Sequence, residues 1–395
     1  MKIGKGFLGV LLCRLLRCRV RTVCRPWSLV VFVLFVVFRA GMAQAQPFVY
    51  VANQGSNNIS AYRADAESGG LSLIGTFPVG VQPRGIGVDP SGQFLFVANQ
   101  GSGDVSAFRI VPTTGVLTSI PGSPFPAGPA PNGVRVEPSG RFLYVTNCFS
   151  SNCYEASSGN IAGYSINGDT GVLTTIEGSP FSAGAGPAEL AVDASGQFAY
   201  AANRGSDNVS AYTIGAVTGV LRQVNGSPFS AGRSPFGVTT HPTAPLVYVT
   251  NVRSNDIWVY AIETSGALTP IGGSPFLGGS TPVILAFDPS AQFAYVANCG
   301  DEACTAAGSV SGYTVDGEGV PRDVPGSPFG AGTGSWGVVV DPSGRFAYLT
   351  NRGSDNGTAY TIDRITGGLA PIGNFTTGNF PVAIAITAGP TAPQM

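Results

Sequence analysis

At 395 residues, 44% hydrophobic and only 11% charged, the chain has ample apolar residues for a core. Its 56 Gly and 30 Pro, with no G-X-Y period, therefore point to many short elements joined by tight turns rather than to disorder. Of its 21 Lys and Arg, eight precede residue 46, where no acid occurs, leaving 13 basic against 22 acidic residues, about −9, in the remainder; that balance carries no electrostatic footprint for nucleic acid or an anionic membrane surface.

Residues 1–45 read as a targeting segment. A basic stretch leads into the apolar run Ser28–Phe38 (SLVVFVLFVVF) and then Ala43-Gln44-Ala45, an A-x-A cleavage signal. The run of 11 residues is short of the ~20 needed to span a bilayer. An uncleaved amphipathic anchor is the competing reading. The expected organisation is a signal peptide over 1–45, one domain over 46–390 and a tail over 391–395, with the mature chain periplasmic or secreted and without a membrane span.

From residue 46 onward the sequence repeats with a period near 48 residues. Each unit opens on an aromatic-rich strand ending in Asn: FVYVAN to Asn53, FLFVAN to Asn99, FLYVTN to Asn147, FAYAAN to Asn203, LVYVTN to Asn251, FAYVAN to Asn298 and FAYLTN to Asn351. A Gly/Ser/Asp turn follows, then a strand such as ISAYRA, then T-G-like turn residues and a third strand. Five units next carry G-S-P-F, starting at Gly122, Gly178, Gly226, Gly273 and Gly326. The fourth strand, such as Gly85–Val88, runs into a turn such as Asp89-Pro90-Ser91-Gly92, whose Pro and Gly suit the dihedrals required. Four short strands per unit, seven times over, predict an all-β, seven-bladed propeller with four antiparallel strands per blade. The chain starts on a second strand and ends on an inner-type strand, Pro381–Thr387. The last strand is thus expected to complete the first blade, removing the exposed sheet edges an open solenoid would leave.

The units ending at Asn203 and Asn351 are the longest, 56 and 53 residues between successive Asn against 46 to 48 elsewhere. Their insertions, Cys148–Asn160 and Cys299–Ser309, should rise from the face that carries the channel mouth. Four cysteines remain beyond the leader, and in an exported chain they read as two local disulfides, Cys148–Cys153 and Cys299–Cys304. The only histidine, His241, aligns with Asp89, Glu137, Asp193, Asp288 and Asp341 and reads as a far-side turn residue. The seven strand-end Asn read as caps of the following turn through Asx hydrogen bonds rather than as a metal ring. No metal or cofactor site is expected.

The YVTN strings at Tyr144–Asn147 and Tyr248–Asn251, with DPSGRF-type turns, resemble the repeats of the lactonase-like seven-bladed propellers, which include 6-phosphogluconolactonase and the carboxymuconate-lactonising enzymes. The resemblance covers residues 46–390 and implies the propeller fold. It also implies His, Arg and carboxylate residues near the central cleft. Here the residues after the entry proline are Arg84, Asn132, Ala188, Phe236, Val283 and Val382, with Trp336 after the matching Ser335, and none is His. Glu189 stands in a column that otherwise holds Gly85, Gly133, Gly237, Gly337, Ile284 and Ala383, so its charge needs a partner or water. The expected mouth is polar at Arg84, Asn132 and Glu189 and apolar at Phe236 and Trp336, suiting a small amphipathic ligand; the competing reading, which the sequence favours, is an Arg–Glu structural pair with ordinary aromatic packing. Two functions follow: a monomeric binding or protein-interaction module whose mouth takes a small-molecule, glycan or protein ligand, or a lactone hydrolase resembling 6-phosphogluconolactonase with Glu189 and Arg84 as catalytic candidates. Phosphorylated sugar lactones are cytoplasmic metabolites, so an export signal argues for a different lactone.

Overall fold

The computed structural model describes residues 46–387 apart from residue 152; the leader and the tail expected at the two ends lie outside the described residues. Seven antiparallel sheets form seven blades, as the repeat requires. The first blade is closed by the C-terminal strand: Pro381–Ile386 pairs antiparallel with Phe48–Asn53, Tyr50 opposite Ala385 and Val51 opposite Ile384. Thr387 locks the end of that pairing, its Oγ1 accepting from the Phe48 amide at 2.9 Å. Six of the seven second strands are buried along their full length and the seventh, Phe198–Asn203, is buried after its first residue, because blades pack on both faces. The inner strands carry glycine where neighbours approach closely at the axis. A Cβ on Gly85 would lie 2.1 Å from the Asn132 carbonyl oxygen, a separation no real side chain tolerates.

Tyrosine holds the blades to one another. Of the 13 tyrosines, twelve donate from the second or third strand of one blade to a carbonyl of an adjacent blade. One set reaches forward to the left-handed glycine of the next far-side turn, as Tyr144 does to Gly219 at 2.7 Å. The other reaches back to the outer strand of the preceding blade, as Tyr212 does to Ser182 at 2.7 Å. The ring closure has both, Tyr348 to Gly69 and Tyr62 to Thr376. The second blade has neither residue, because Phe96 and Phe108 stand in the two tyrosine columns. Its two junctions therefore keep one tyrosine bond each, Tyr50 to Gly115 and Tyr164 to Pro126, where the other five junctions have two.

The outer strand is continuous in the first and last blades, Leu71–Pro78 and Leu369–Thr376. In the five blades with G-S-P-F it is broken into a three-residue strand and a second short strand, which pairs further along the third strand. The serine of the motif fills the break by accepting from a third-strand amide, as Ser179 Oγ does from Gly163 at 2.9 Å.

The strand-end asparagines act differently from the turn caps expected of them. Asn53 Nδ2 donates across the hairpin to Asn58 Oδ1 at 2.8 Å and Ser60 Oγ at 2.9 Å, the same clamp recurs at Asn99, Asn203, Asn298 and Asn351, and Asn147 and Asn251 keep only its first bond. The reason is direction: a fully buried Asn on the last strand position faces the third strand rather than the amides of its own turn.

At the far side, Asp341 accepts from the amides of Ser343, Arg345 and Phe346 at 3.1, 2.8 and 2.8 Å. His241 takes the same role with one ring nitrogen, Nδ1 accepting from the Ala244 amide at 2.9 Å. Burial lowers its pKa, as suits a neutral acceptor.

Candidate functional site

The entry prolines bring the residue after each of them to the top of the channel. Arg84, Asn132, Glu189, Phe236 and Trp336 line one cavity of about 350 Å³ that continues down the inner strands past Arg135 and Thr239. Glu189 has room there because its neighbour on the preceding blade is Gly133, where a Cβ would sit 2.8 Å from Glu189 Oε2. Its backbone is pinned by the threonine of the second-strand motif: Thr146 Oγ1 accepts from the Gly133 amide and donates to the Ala188 carbonyl, at 2.8 and 2.7 Å. Thr250 and Thr350 hold Val283 and Val382 in the same way. The Y-V-T-N form of the repeat thus ties each such blade to the inner strand of the next, a role absent where Ala replaces Thr.

Glu189 makes no ion pair within 4 Å among the described residues. Protein surrounds it, yet its carboxylate faces the channel. Burial raises its pKa from the ordinary range to about 7, against the opposing pull of Arg135 and Arg84. Arg84 is 7% exposed, and its pKa is brought down to about 9 by burial and by repulsion from Arg352 and Arg204, so it remains a cation at neutral pH. Arg135 is tied by Nε to the Leu190 carbonyl at 3.2 Å.

The apolar wall is layered. Trp336 and Phe236 meet edge to face, with centroids 5.3 Å apart, and Phe236 is buried behind Trp336 with Ala188, Val252, Val283 and the second cysteine pair. Arg84 and Arg352 both stack on the Trp336 ring, at 5.3 and 5.4 Å, and Arg204 stacks on Phe236 at 5.6 Å. Asn132 lines the cavity, but its Nδ2 is directed at Cys153 Sγ, 2.8 Å away, so it supports an insertion rather than presenting a free donor.

The two disulfides join Cys148 to Cys153 and Cys299 to Cys304, each within its own insertion. The insertions spring from blades three apart, yet one side chain spans between them. Arg253 lies 3.6 Å over the Tyr154 ring of the first insertion and 3.2 Å from Glu302 of the second.

The inner-strand column was legible in the sequence, but Arg204, Arg352 and Arg253 were not. They follow the strand-two Asn by one or two places, a column that also holds Gln54, Gln100, Cys148 and Cys299. Reading the variation in that column, directly above the channel, would have found them. Among the described residues no group of His, Cys, Asp or Glu is placed to hold a metal ion, and no helix is long and apolar enough to cross a membrane.

The family model described as "Lactonase, 7-bladed beta-propeller" matches residues 41–130, 119–234 and 239–390. No curated protein matches the chain. Among solved structures, a candidate 6-phosphogluconolactonase from Bacteroides fragilis is 16% identical at a TM-score of 0.73, covering 88% of this chain and 99% of that one. The periplasmic gluconolactonase PpgL of Pseudomonas aeruginosa is 20% identical at a TM-score of 0.72, over 88% of this chain and 100% of that one. A hydrazine synthase chain of Kuenenia stuttgartiensis also matches, 20% identical at a TM-score of 0.56 over 79% and 92%. Likenesses at these identities speak for the fold alone.

Proposed function

The chain belongs to the lactonase family of seven-bladed β-propellers, and from that premise we propose that its channel mouth binds a small, oxygen-rich ligand of sugar size. The observation that carries the reading is Glu189, a carboxylate without an ion pair facing a cavity of about 350 Å³ opposite the Trp336 ring. A carboxylate on one wall, and on the other an indole with a guanidinium over its ring, are what a pyranose or furanose ring uses: hydroxyls to the carboxylate and guanidinium, C–H groups to the indole surface that is left. The cysteine pairs and the leader-like residues 1–45 support an exported protein.

A second reading has a specific support in the pKa of Glu189 near 7, matched to a general base at neutral pH. In that reading the ligand is a lactone. Glu189 takes a proton from water as the water oxygen bonds to the lactone carbonyl carbon, and Arg84 stabilises the oxyanion. The ring C–O bond then breaks as the oxyanion collapses, and the proton passes from Glu189 to the leaving alkoxide, giving an open hydroxy acid. The name of the Pseudomonas protein, a periplasmic gluconolactonase, pairs this fold with a sugar lactone.

The test is a panel of aldonolactones assayed for turnover, with calorimetric binding of the corresponding sugars and hydroxy acids. Ligand binding should be lost in Trp336→Ala. Hydrolysis, if present, should rise with pH through about 7 as Glu189 ionises and fall above about 9 as Arg84 loses its charge. Glu189→Gln should abolish turnover and His241→Ala should not. Binding unchanged in Trp336→Ala, or turnover unchanged in Glu189→Gln, would contradict the respective reading.

A further inference from the structure

Each of the two insertions is seated on the blade that follows its own. In every blade the residue before the entry proline, or before the equivalent Ser335, has a left-handed backbone. Gln82, Ala130, Ser234, Thr281 and Phe380 hold φ between 50° and 59° there without being glycine. Only the fourth and seventh blades carry glycine, Gly186 and Gly334, so the backbone angle alone does not demand it. Close approach does. A Cβ on Gly186 would lie 1.8 Å from the Cys153 carbonyl oxygen of the first insertion, and one on Gly334 would lie 2.4 Å from that of Cys304 in the second. Both carbonyls belong to disulfide cysteines, bonded back to Cys148 and Cys299 at their own strand ends. The next glycine of the rim repeats the contrast. Cβ positions on Gly205 and Gly353 fall 2.8 and 3.0 Å from the Ala156 and Cys304 carbonyl oxygens, whereas those on Gly55 and Gly101 meet Phe380 and Val81 of their own blades. Phe380 and Val81 are 47% and 50% exposed, so the first two blades leave the rim open.

We propose that the insertions form a roof over one half of the mouth, from Glu189 on the fourth blade to Trp336 on the seventh, and that Arg253 latches it. The glycine seats put the first insertion over the turn that leads into Pro187–Val192, the strand of Glu189. They put the second over the turn that leads into Ser335–Val340, the strand of Trp336. Between them the fifth blade supplies Arg253, whose guanidinium lies 3.6 Å over the Tyr154 ring and 3.2 Å from Glu302. A planar guanidinium stacks by its face and donates by its edge, so one side chain joins the two loops. The Arg253 and Glu302 side chains are 26% and 61% exposed, so salt screens the pair and the latch is weak enough to open. Ligand then enters over the open rim of the first two blades. Arg253 is a positioning residue that limits the size of what reaches Trp336. This use of the roof rests on the reading of the mouth as a ligand site, but the roof itself is measurable with no ligand present.

The experiment is fluorescence quenching of Trp336 by two neutral quenchers, acrylamide and the sugar-sized nitroxide 4-hydroxy-TEMPO. Trp27→Phe and Trp258→Phe remove the other two tryptophans and define the parent. Neutral quenchers are needed because the latch variants change the charge of the rim. Arg253→Gln and Glu302→Gln should each raise the nitroxide Stern–Volmer slope by about twofold or more, move the acrylamide slope little, and keep the parent Tm, as befits a partly exposed pair. Concentrated sodium chloride should shift the parent toward the variants. Arg253→Lys, which keeps the charge without the fork, should fall between. Gly186→Ala tests the seat apart from charge. Ala130 holds a left-handed backbone at the same place in the third blade, so the added methyl strikes the Cys153 carbonyl, and the nitroxide slope should rise again. Nitroxide slopes equal to the parent's in all three of Arg253→Gln, Glu302→Gln and Gly186→Ala, or raised only where Tm falls, overturn the roof. Sugar binding unchanged in Trp336→Ala would sink the mouth reading while a raised slope still upheld the roof, so the two failures are told apart.

Discussion

The far side of the ring and its mouth are built from the same repeat and treat charge in opposite ways. On the far side each turn acid is saturated: Asp288 accepts from the amides of Ser290 and Phe293 and from the Ser290 hydroxyl, and the same pattern recurs at Asp89, Glu137, Asp193 and Asp341. At the mouth the equivalent layer diverges from blade to blade and leaves Glu189 without an ion pair and the buried Nε of Arg84 and Arg352 without an acceptor among the described residues. The difference separates two kinds of selection on one repeat. Where the copies agree, the residues stabilise the blade; where they disagree around the axis, charge is buried without the partners that the far side supplies.

The largest effect should come from breaking a far-side turn. Asp341→Ala removes the acceptor for three amides and a hydroxyl at a 4% exposed position. It should lower stability by about 3 kcal/mol, measured by denaturant unfolding, without altering ligand affinity at the mouth. A stable Asp341→Ala variant would mean that the turn acids are not what holds the far side.

The mouth should respond with the opposite sign. Glu189 has a raised pKa in the folded protein, so folding favours its protonated form. Its charged form therefore costs stability, and that cost grows as pH rises from about 4.5 toward about 7. Glu189→Gln should leave stability unchanged at the acid end of this window and raise it by about 1–2 kcal/mol above pH 7, the shift being discounted because the carboxylate meets channel water. Equal stability differences at pH 5 and pH 8 would show that Glu189 is paired in solution.

The smallest effects sharpen the comparison within the stabilising layer. Tyr348→Phe, at a junction with two tyrosine bonds, should cost about 1 kcal/mol by leaving the Gly69 carbonyl without its donor. Phe96→Tyr runs the substitution backwards at the junction between the second and third blades, where the matching acceptor is Gly171. If the geometry of the other six copies holds there, it should add about 1 kcal/mol, seen as a rise in Tm. A loss instead would show that the second blade packs its phenylalanines too tightly to admit a hydroxyl.

The blade count, the strand order and the closing strand were legible from the sequence because each is written seven times or at a chain end. The aromatic-Asn strand, the G-S-P-F break and the D-P-S-G turn are local patterns, and each implies its own backbone geometry. The role of His241 was legible for the same reason, since a column of acids defines what its one variant must do. The functions of the tyrosines, threonines and asparagines were not, although their repetition was plain. Tyr50 and Gly115 are 65 residues apart and Tyr348 and Gly69 are 279 apart, and no local pattern says which carbonyl a buried hydroxyl will reach.

The sequence by itself determined that this chain is a closed ring of seven blades, with Arg84, Asn132, Glu189, Phe236 and Trp336 at the top of its axis, because period and column follow from chain order alone. Only the tertiary structure decided which charges there are satisfied. Asn132 turned out to be committed to Cys153, Arg253 to Tyr154 and Glu302, and Arg84 and Arg352 to one shared indole ring. Those outcomes depend on distances of a few ångströms, within a blade for Asn132 and Arg352 and between blades for Arg84 and Arg253, and no local pattern in the sequence sets them.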